Sequence, residues 1–275
     1  MQSNSGSTYV MGETEHERRR LLLQGSILNP MTERFLLDAG LSAGMRVLDL
    51  GCGIGDVSLR AARIVGPNGS VIGLDRDAAA LETARIRAGE ENLPQVAFRQ
   101  VAFEAYSQDG DFDAVIGRHV LIHSPDPQGW IRKATSLLRT GGIVGFQEYD
   151  LSYFPAVEPA LPLFQKLSGS MVALFRRIAA YADTGARLYH WMQLAGVRDT
   201  RCSATYLMSG GPESPYYEWF AETLRSLAPH LESLGIVSAA EMDLPTLADR
   251  LREEAVSRDG CVTTPAIVGC SARRR

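Results

Sequence analysis

Between residues 45 and 150 the chain alternates short apolar runs with amphipathic stretches of helical length. The pattern predicts strands over 45–50, 70–75, 96–100, 113–117 and 143–148, and helices over 55–66, 77–90 and 127–138. Turns fall at Gly66-Pro67-Asn68-Gly69 and at Thr140-Gly141-Gly142. Strands alternating with helices argue for a parallel sheet with right-handed crossovers, whose ligands bind at the carboxyl ends of the strands. Upstream, Glu15 to Leu28 has helical spacing, with Arg18, Arg19 and Arg20 on its wet side and Leu21 to Leu23 partly buried. A second helix is expected to start after Asn29-Pro30, because proline is tolerated in a first helical turn.

After Glu148 the pattern changes. Helical segments are expected at 159–181, 184–195, 213–234 and 244–257, and two closing strands at 198–208 and 261–271. Residues 149–220 hold 13 of the 21 aromatic residues, so this is where an apolar ligand site should be sought. For any single aromatic, packing between the extra helices is the competing reading.

Candidate chemistry is concentrated in Arg46-Val-Leu-Asp49-Leu-Gly51-Cys52-Gly53-Ile-Gly55-Asp56-Val57, a strand running into a glycine-rich turn and a helix. Gly51 and Gly53 allow positive φ and a close backbone approach to a ligand, and Gly55 lets the helix start pack on the strand. A second acid, Asp75, closes the next strand, where it is placed to accept hydrogen bonds from a ribose diol. Asp56 stands where the dinucleotide fingerprint requires its third glycine.

This run of an apolar strand, an acid and Gly-x-Gly-x-Gly resembles the first motif of the class I S-adenosylmethionine-dependent methyltransferases. Asp111-Phe-Asp113-Ala-Val-Ile-Gly117-Arg118-His119 and its continuation to Asp126-Pro127 are similar to that family's fourth strand and following helix, and Leu138 to Phe146 to its fifth strand. Tyr9-Val-Met-Gly12, with Glu17, Arg20 and Gln24, resembles the first helix of a bacterial subgroup and would fold over the cofactor's methionine end. The resemblance implies an α/β, Rossmann-like sheet of seven strands, one antiparallel, with helices on both faces and a helical lid insertion. Covering helices would occupy residues 1–44, the cofactor-binding core 45–150, the aromatic lid with the end of the sheet 151–260, and a final strand and basic tail 261–275.

The implied cofactor is S-adenosylmethionine, leaving as S-adenosylhomocysteine. Its expected contacts are Tyr9, Gln24, Asp49, Gly51, Gly53, Gly55, Asp75, Arg76, Ala102, Phe103 and Arg118, the last through its backbone. One departure concerns adenine: Ala102 stands where many members carry an acid, leaving the Phe103 backbone with packing, or Glu104, to hold the base.

Such chemistry is an in-line attack on the sulfonium methyl, for which the protein supplies position, water exclusion and, where needed, a proton acceptor. His119 and His123, four residues apart beyond the fourth strand, are the candidate bases, with packing at a helix end as the other reading of His123. Glu148, Tyr149, Tyr153 and Trp191 are candidate substrate contacts, and Asp150 is placed to orient a substrate or cap a lid helix. Gly117-Arg118-His119 offers no carboxylate cluster, so no metal is expected.

A net charge of −4 implies no general attraction to nucleic acid, and no 18-residue apolar run implies a membrane partner. Cys52, Cys202, Cys261 and Cys270 lack metal-ligand spacing and suit free thiols in the cytoplasm; Cys202 and Cys261 are expected on neighbouring strands, with a disulfide between them as the other reading. The expected function is methyl transfer to a small, hydrophobic or aromatic metabolite of specialised metabolism, with a homodimer left open. The alternatives are a methyltransferase-like cyclase or binding protein without methyl transfer, and an NAD(P)-dependent oxidoreductase, which lacks a Tyr-x-x-x-Lys signature here.

Overall fold

A computed structural model describes residues 15–107 and 110–275. The core strands are β1 (Arg46–Leu50), β2 (Ser70–Asp75), β3 (Val96–Gln100), β4 (Phe112–Arg118), β5 (Leu138–Asp150), β6 (Arg198–Thr205) and β9 (Ala266–Arg273). They form one sheet in the order β3-β2-β1-β4-β5-β9-β6, with β9 antiparallel to both its neighbours. The strand order reverses at β1, which pairs in parallel with β2 on one side and β4 on the other. Val47, Leu48 and Leu50 are fully buried, as expected of a parallel strand covered on both faces.

Two apolar layers sandwich this sheet. On one side, Leu36 of α1 (Glu15–Ala39) and Val57, Ala61 and Val65 of α2 (Asp56–Val65) pack with Val47, Ala114 and Ile116. On the other, Ile131 and Ala134 of α4 (Pro127–Ser136) join Leu188 and Met192 of α6 (Thr184–Leu194) against Val115, Val144 and Phe146. The helix α3 (Ala78–Glu90) follows β2 and is capped by Asp77, whose side chain accepts from the N–H groups of Ala79 and Ala80. A separate core lies above the strand ends, where α5 (Pro162–Ile178), α7 (Tyr216–Ser233), α8 (Ala239–Met242) and α9 (Leu247–Ser257) enclose Phe164, Phe220, Leu224, Met242 and Leu251. A two-stranded ribbon, β7 (Met208–Gly210) with β8 (Cys261–Thr263), joins this lid to the sheet.

Four expectations are corrected. First, α1 is one helix running through Pro30. An interior proline costs about 3 kcal/mol, but Leu28, Asn29, Thr32 and Leu36 are all buried on this helix, and that packing outweighs the lost hydrogen bond. Second, Arg20 is buried: its guanidinium donates to the Glu17 carboxylate at 2.9 and 2.5 Å, so only Arg18 and Arg19 of that triplet face water. Third, the segment expected as a single strand over 261–271 is split by Thr264-Pro265 into β8 and β9, since proline has no N–H for a ladder.

Fourth, the cysteines are not all free. Cys202 and Cys270 face each other across the β6–β9 ladder and form a disulfide, with Cα atoms 4.2 Å apart, while Cys52 and Cys261 are free. Cys261 sits on β8, which pairs with β7 and not with β6. The bridge removes the free-thiol argument for the cytoplasm. Among the described residues no helix is long and apolar enough to cross a membrane.

The disulfide closes a loop of 68 residues, for which loop entropy gives about 4 kcal/mol, with about 2–4 kcal/mol the usual measured range. Cys202→Ser should therefore lose stability of that order in urea unfolding, and a reductant should destabilise the natural chain but not the variant. Equal sensitivity of both proteins to reductant would remove the bridge from the account.

Candidate functional site

The residues linking β1 to α2 build the floor of the site. Gly55 has φ +89°, and a Cβ there would lie 3.1 Å from Ala84 and 3.3 Å from Phe98, so only glycine lets the turn settle onto α3 and β3. Gly53, at φ +52°, faces open space, where a Cβ would meet nothing within 4 Å. Its N–H donates to Asp75 Oδ2 at 2.7 Å, so the acid closing β2 also holds the glycine turn. Asp49 lies beneath this turn. It is fully buried, accepts from Ser58 Oγ at 2.6 Å, and is pushed up to about 7 by desolvation.

Above the floor a cavity of about 580 Å³ extends to the lid, within the roughly 300–1,000 Å³ usual for small-molecule sites. Gly51, Gly53, Asp75, Arg76 and Gln24 line it near the turn. Val101, Ala102 and Phe103 form an apolar side wall, with Glu104 at its margin. Lys133 Nζ donates to the carbonyls of Phe103 and Glu104, both at 2.8 Å, which fixes the turn after β3 and engages the Phe103 carbonyl.

One edge is set by a polar network. Asp56, the first residue of α2, receives Arg87 Nη2 at 2.8 Å and Arg118 Nη2 at 3.4 Å. Arg118 Nη1 also donates to Asn29 Oδ1 at 3.1 Å and to Thr32 Oγ1 at 3.0 Å. The Arg118 side chain thus ties α1, α2 and β4 together at the cavity, which the residue also lines.

The opposite end carries the candidate bases. His119 has φ +54°, and its N–H donates to the Gln147 carbonyl at 2.9 Å. Its ring stacks on Tyr149 with centroids 3.9 Å apart, and its Nε2 is buried without a hydrogen-bond partner. The following 3₁₀ turn, Leu121–His123, is held from behind by Glu148, whose Oε1 accepts from the N–H groups of Val120 and Leu121 at 2.9 Å each. Burial pushes Glu148 up to about 7, drives His119 well below its ordinary value, and brings His123 down to about 4, with the Arg118, Arg76 and Arg20 charges acting in the same direction on the histidines. Both histidines are consequently neutral at physiological pH.

The sequence-level candidates separate by position. His119, His123 and Tyr149 line the cavity, as do the contacts named above near the turn. Asp49, Gly55 and Glu148 do not line it and act from behind the wall, because each is spent on an internal contact. Trp191 is a correction: it is 2% exposed in the layer between α6 and the sheet, edge-on to Tyr181 at 5.2 Å. Tyr153 is a second correction, since it projects into solvent and lines no part of the cavity. Tyr9 lies outside the described residues. Phe175 of α5 and Trp219 of α7, members of the aromatic group expected at the pocket, close the cavity from the lid together with Met171 and Thr223, which sequence reasoning did not single out. Their i, i+4 spacing was the available signal.

A doubly wound sheet with a glycine turn held by the acid that closes its second strand is a Rossmann-like arrangement. Residues 41–196, more than half of the chain, match the family model of a methyltransferase domain. The chain belongs to that family, the class I S-adenosylmethionine-dependent methyltransferases. Ubiquinone biosynthesis O-methyltransferase of Acinetobacter baumannii (strain AYE) is 33% identical over 135 residues, covering 48% of this chain and 54% of that protein. The enzyme of the same name from Nitrosococcus oceani is 32% identical over 121 residues, covering 43% and 50%. The chain thus spans about half the length of the curated relatives it matches. Among solved structures, Bacillus subtilis YcgJ is similar with a TM-score of 0.56 at 18% identity, covering 89% of this chain and 98% of that one. Haemonchus contortus phosphoethanolamine N-methyltransferase 2 follows at 0.54 and 18%, covering 89% and 52%.

The residues present fit the class cofactor, S-adenosylmethionine. Gly53 leaves open space, Asp75 keeps lone pairs beyond the two engaged by the N–H groups of Gly53 and Asp77, and the Val101–Phe103 wall offers an apolar surface.

A pH prediction follows from Glu148. Its folded-state pKa of about 7 lies above the ordinary 4.5, so the unfolded chain releases this proton first and stability falls as pH rises between those values, by about 3 kcal/mol. Glu148→Gln removes that dependence. Urea unfolding at several pH values should show natural-chain stability, relative to the variant, dropping by that amount from pH 4.5 to above 7. A constant difference would mean the carboxyl titrates normally.

Proposed function

We propose that the chain transfers the methyl group of S-adenosylmethionine to a small, hydrophobic or aromatic metabolite. The observation that carries this reading is the single cavity joining the glycine turn and Asp75 to the His119–Tyr149 pair under the α5 and α7 helices. When bound, the cofactor supplies an activated methyl group, so the protein needs no separate electrophile activation. Asp75 accepts hydrogen bonds from the ribose hydroxyls, while the glycine turn brings backbone close to the amino acid portion. Gln24 borders the same end from α1, where its Oε1 accepts from Arg20 Nη1 at 2.9 Å. The Val101–Phe103 wall receives the base by packing. The lid face of Met171, Phe175 and Trp219 excludes water from the reacting end. His119, neutral through burial, accepts the acceptor's proton late, as bond formation makes that group acidic.

Calorimetric titration with S-adenosylmethionine, S-adenosylhomocysteine and NADH tests the reading: the two sulfur compounds should bind and NADH should not. Binding of NADH alone would overturn it. Asp75→Ala should weaken S-adenosylhomocysteine binding by about 1–3 kcal/mol through lost charge-assisted hydrogen bonds. With an accepted substrate, His119→Ala should lower turnover by roughly 10²-fold or more while cofactor affinity is kept. Product formed equally well with S-adenosylhomocysteine in place of S-adenosylmethionine would instead identify a cyclase-like activity.

A further inference from the structure

A second cavity, of about 400 Å³, lies at the edge of the sheet, enclosed by the last turn of α1, the first half of β6 and the end of β9. Because β9 is antiparallel to β5, its final residues point toward the amino ends of the parallel strands, away from the glycine turn. The helix α1 lies over the middle of β9, where a Cβ at Gly269 would come 2.6 Å from the Phe35 ring. It ends at Ala39, and the cavity begins beside that end.

Three side chains meet there on one face of the sheet. Ser271 and Arg273 are two residues apart on β9, so they leave the same face, and Arg201 stands directly opposite Ser271 in the ladder. The Cys202–Cys270 disulfide occupies the next rung and holds that pairing. A bulge between Arg198 and Arg201, with Asp199 at φ +55°, bends β6 beside the cavity.

The polar capacity of these three side chains is largely unspent. The exposed Arg201 guanidinium has no hydrogen bond or ion pair among the described residues. Arg273 donates through Nη1 to the Gly141 carbonyl at 3.2 Å and meets no carboxylate among them. Ser271 is 8% exposed, and its hydroxyl has no partner among the described residues. The cavity's two acids are engaged elsewhere, Asp38 by Arg34 at 2.8 Å and Asp199 by Arg198 at 3.1 Å. At the end of α1 the Leu36 and Leu37 carbonyls accept from Leu41 and Gly40, which blunts the negative pole of the helix. Arginines outnumber acids around this cavity, on a chain whose net charge is −4.

We propose that this cavity is a second ligand site, which binds a phosphoryl group through Arg201, Ser271 and Arg273. It is independent of the methyl-transfer reading. Guanidinium forks match the oxygens of phosphate and carboxylate alike. A phosphate monoester brings three terminal oxygens and a charge of about −2, one oxygen for each of the three side chains and a charge for each arginine. A carboxylate brings two oxygens and one charge, and leaves a donor unmatched. The volume exceeds that of a phosphoryl group, and the Asp38 and Asp199 carboxylates on the walls accept from hydroxyls of a body that carries it. The free ion and a phosphate ester share the recognised group.

Calorimetric titration at low ionic strength tests the site, with glucose 6-phosphate, inorganic phosphate, gluconate and glucose as probes. The natural chain should bind both phosphates, gluconate at least about tenfold more weakly, and glucose not at all. Tighter binding of glucose 6-phosphate than of inorganic phosphate identifies an ester as the ligand, and equal binding identifies the free ion. Arg201→Gln should lose at least about tenfold for the phosphates and Ser271→Ala roughly threefold, while both keep the natural affinity for S-adenosylhomocysteine. Asp75→Ala, altered in the other cavity, should bind the phosphates normally. Gluconate bound as tightly as glucose 6-phosphate, a normal Arg201→Gln, phosphate binding lost in Asp75→Ala, or neither phosphate bound at millimolar concentration would each overturn the proposal. The four-probe series on the natural chain decides the matter even if a variant does not fold. Failure of S-adenosylhomocysteine to bind the natural chain would overturn the methyl-transfer reading alone.

Discussion

Asp56 sits at the start of α2, nearly enclosed, with a guanidinium on each side: Arg87 from α3 and Arg118 from the end of β4. The Asn29 amide approaches from α1, and Gly25 on the same helix lies so close that a Cβ would be 2.8 Å from the carboxylate oxygens. Four elements therefore meet on one carboxylate. Removing one member of such a buried set leaves charge without compensation, which costs more than the contacts themselves provide. The position of the glycine turn, the docking of α1 over it and the direction taken by the chain after β4 all depend on this junction.

From that junction the chain supports two differently built ends of one cavity. Near the turn the lining combines the backbone of the glycine turn with polar side chains, among them Asp75, Arg76 and Gln24. At the far end apolar side chains dominate, the Arg20 charge is paired with Glu17, and burial keeps His119 and His123 neutral. Glu148 supports this arrangement without touching the cavity: by binding the N–H groups of Val120 and Leu121 it fixes the turn on which both histidines ride.

The sheet was legible because parallel strands buried on both faces are written as short, continuous apolar runs, and the glycine turn because its conformational demands leave few residue choices. What escaped notice depended on contacts distant in sequence. Pro30 carried a correct local signal for a helix start, overridden by the burial of Leu28 and Leu36. Trp191 had the composition of a ligand contact, but only the docking of α6 on the sheet decides that its ring faces inward. The pairing of Cys202 with Cys270 required the register of β6 against β9, 68 residues apart. Met171 looked like any lid-core residue, because periodicity marks an apolar face without saying whether protein or ligand covers it.

The placement of β9 bears on how the molecule comes to exist. It follows every other strand of this sheet in sequence, yet it lies inside the sheet, between β5 and β6. Both neighbours pair with β9 and not with each other, so during synthesis β5 and β6 wait for it while about sixty residues, most of them lid, are made between β6 and β9. Pairings of such long range are slow to form. The lid core of α5, α7 and α9 is free to gather during that interval, and the sheet then closes around a strand that arrives last.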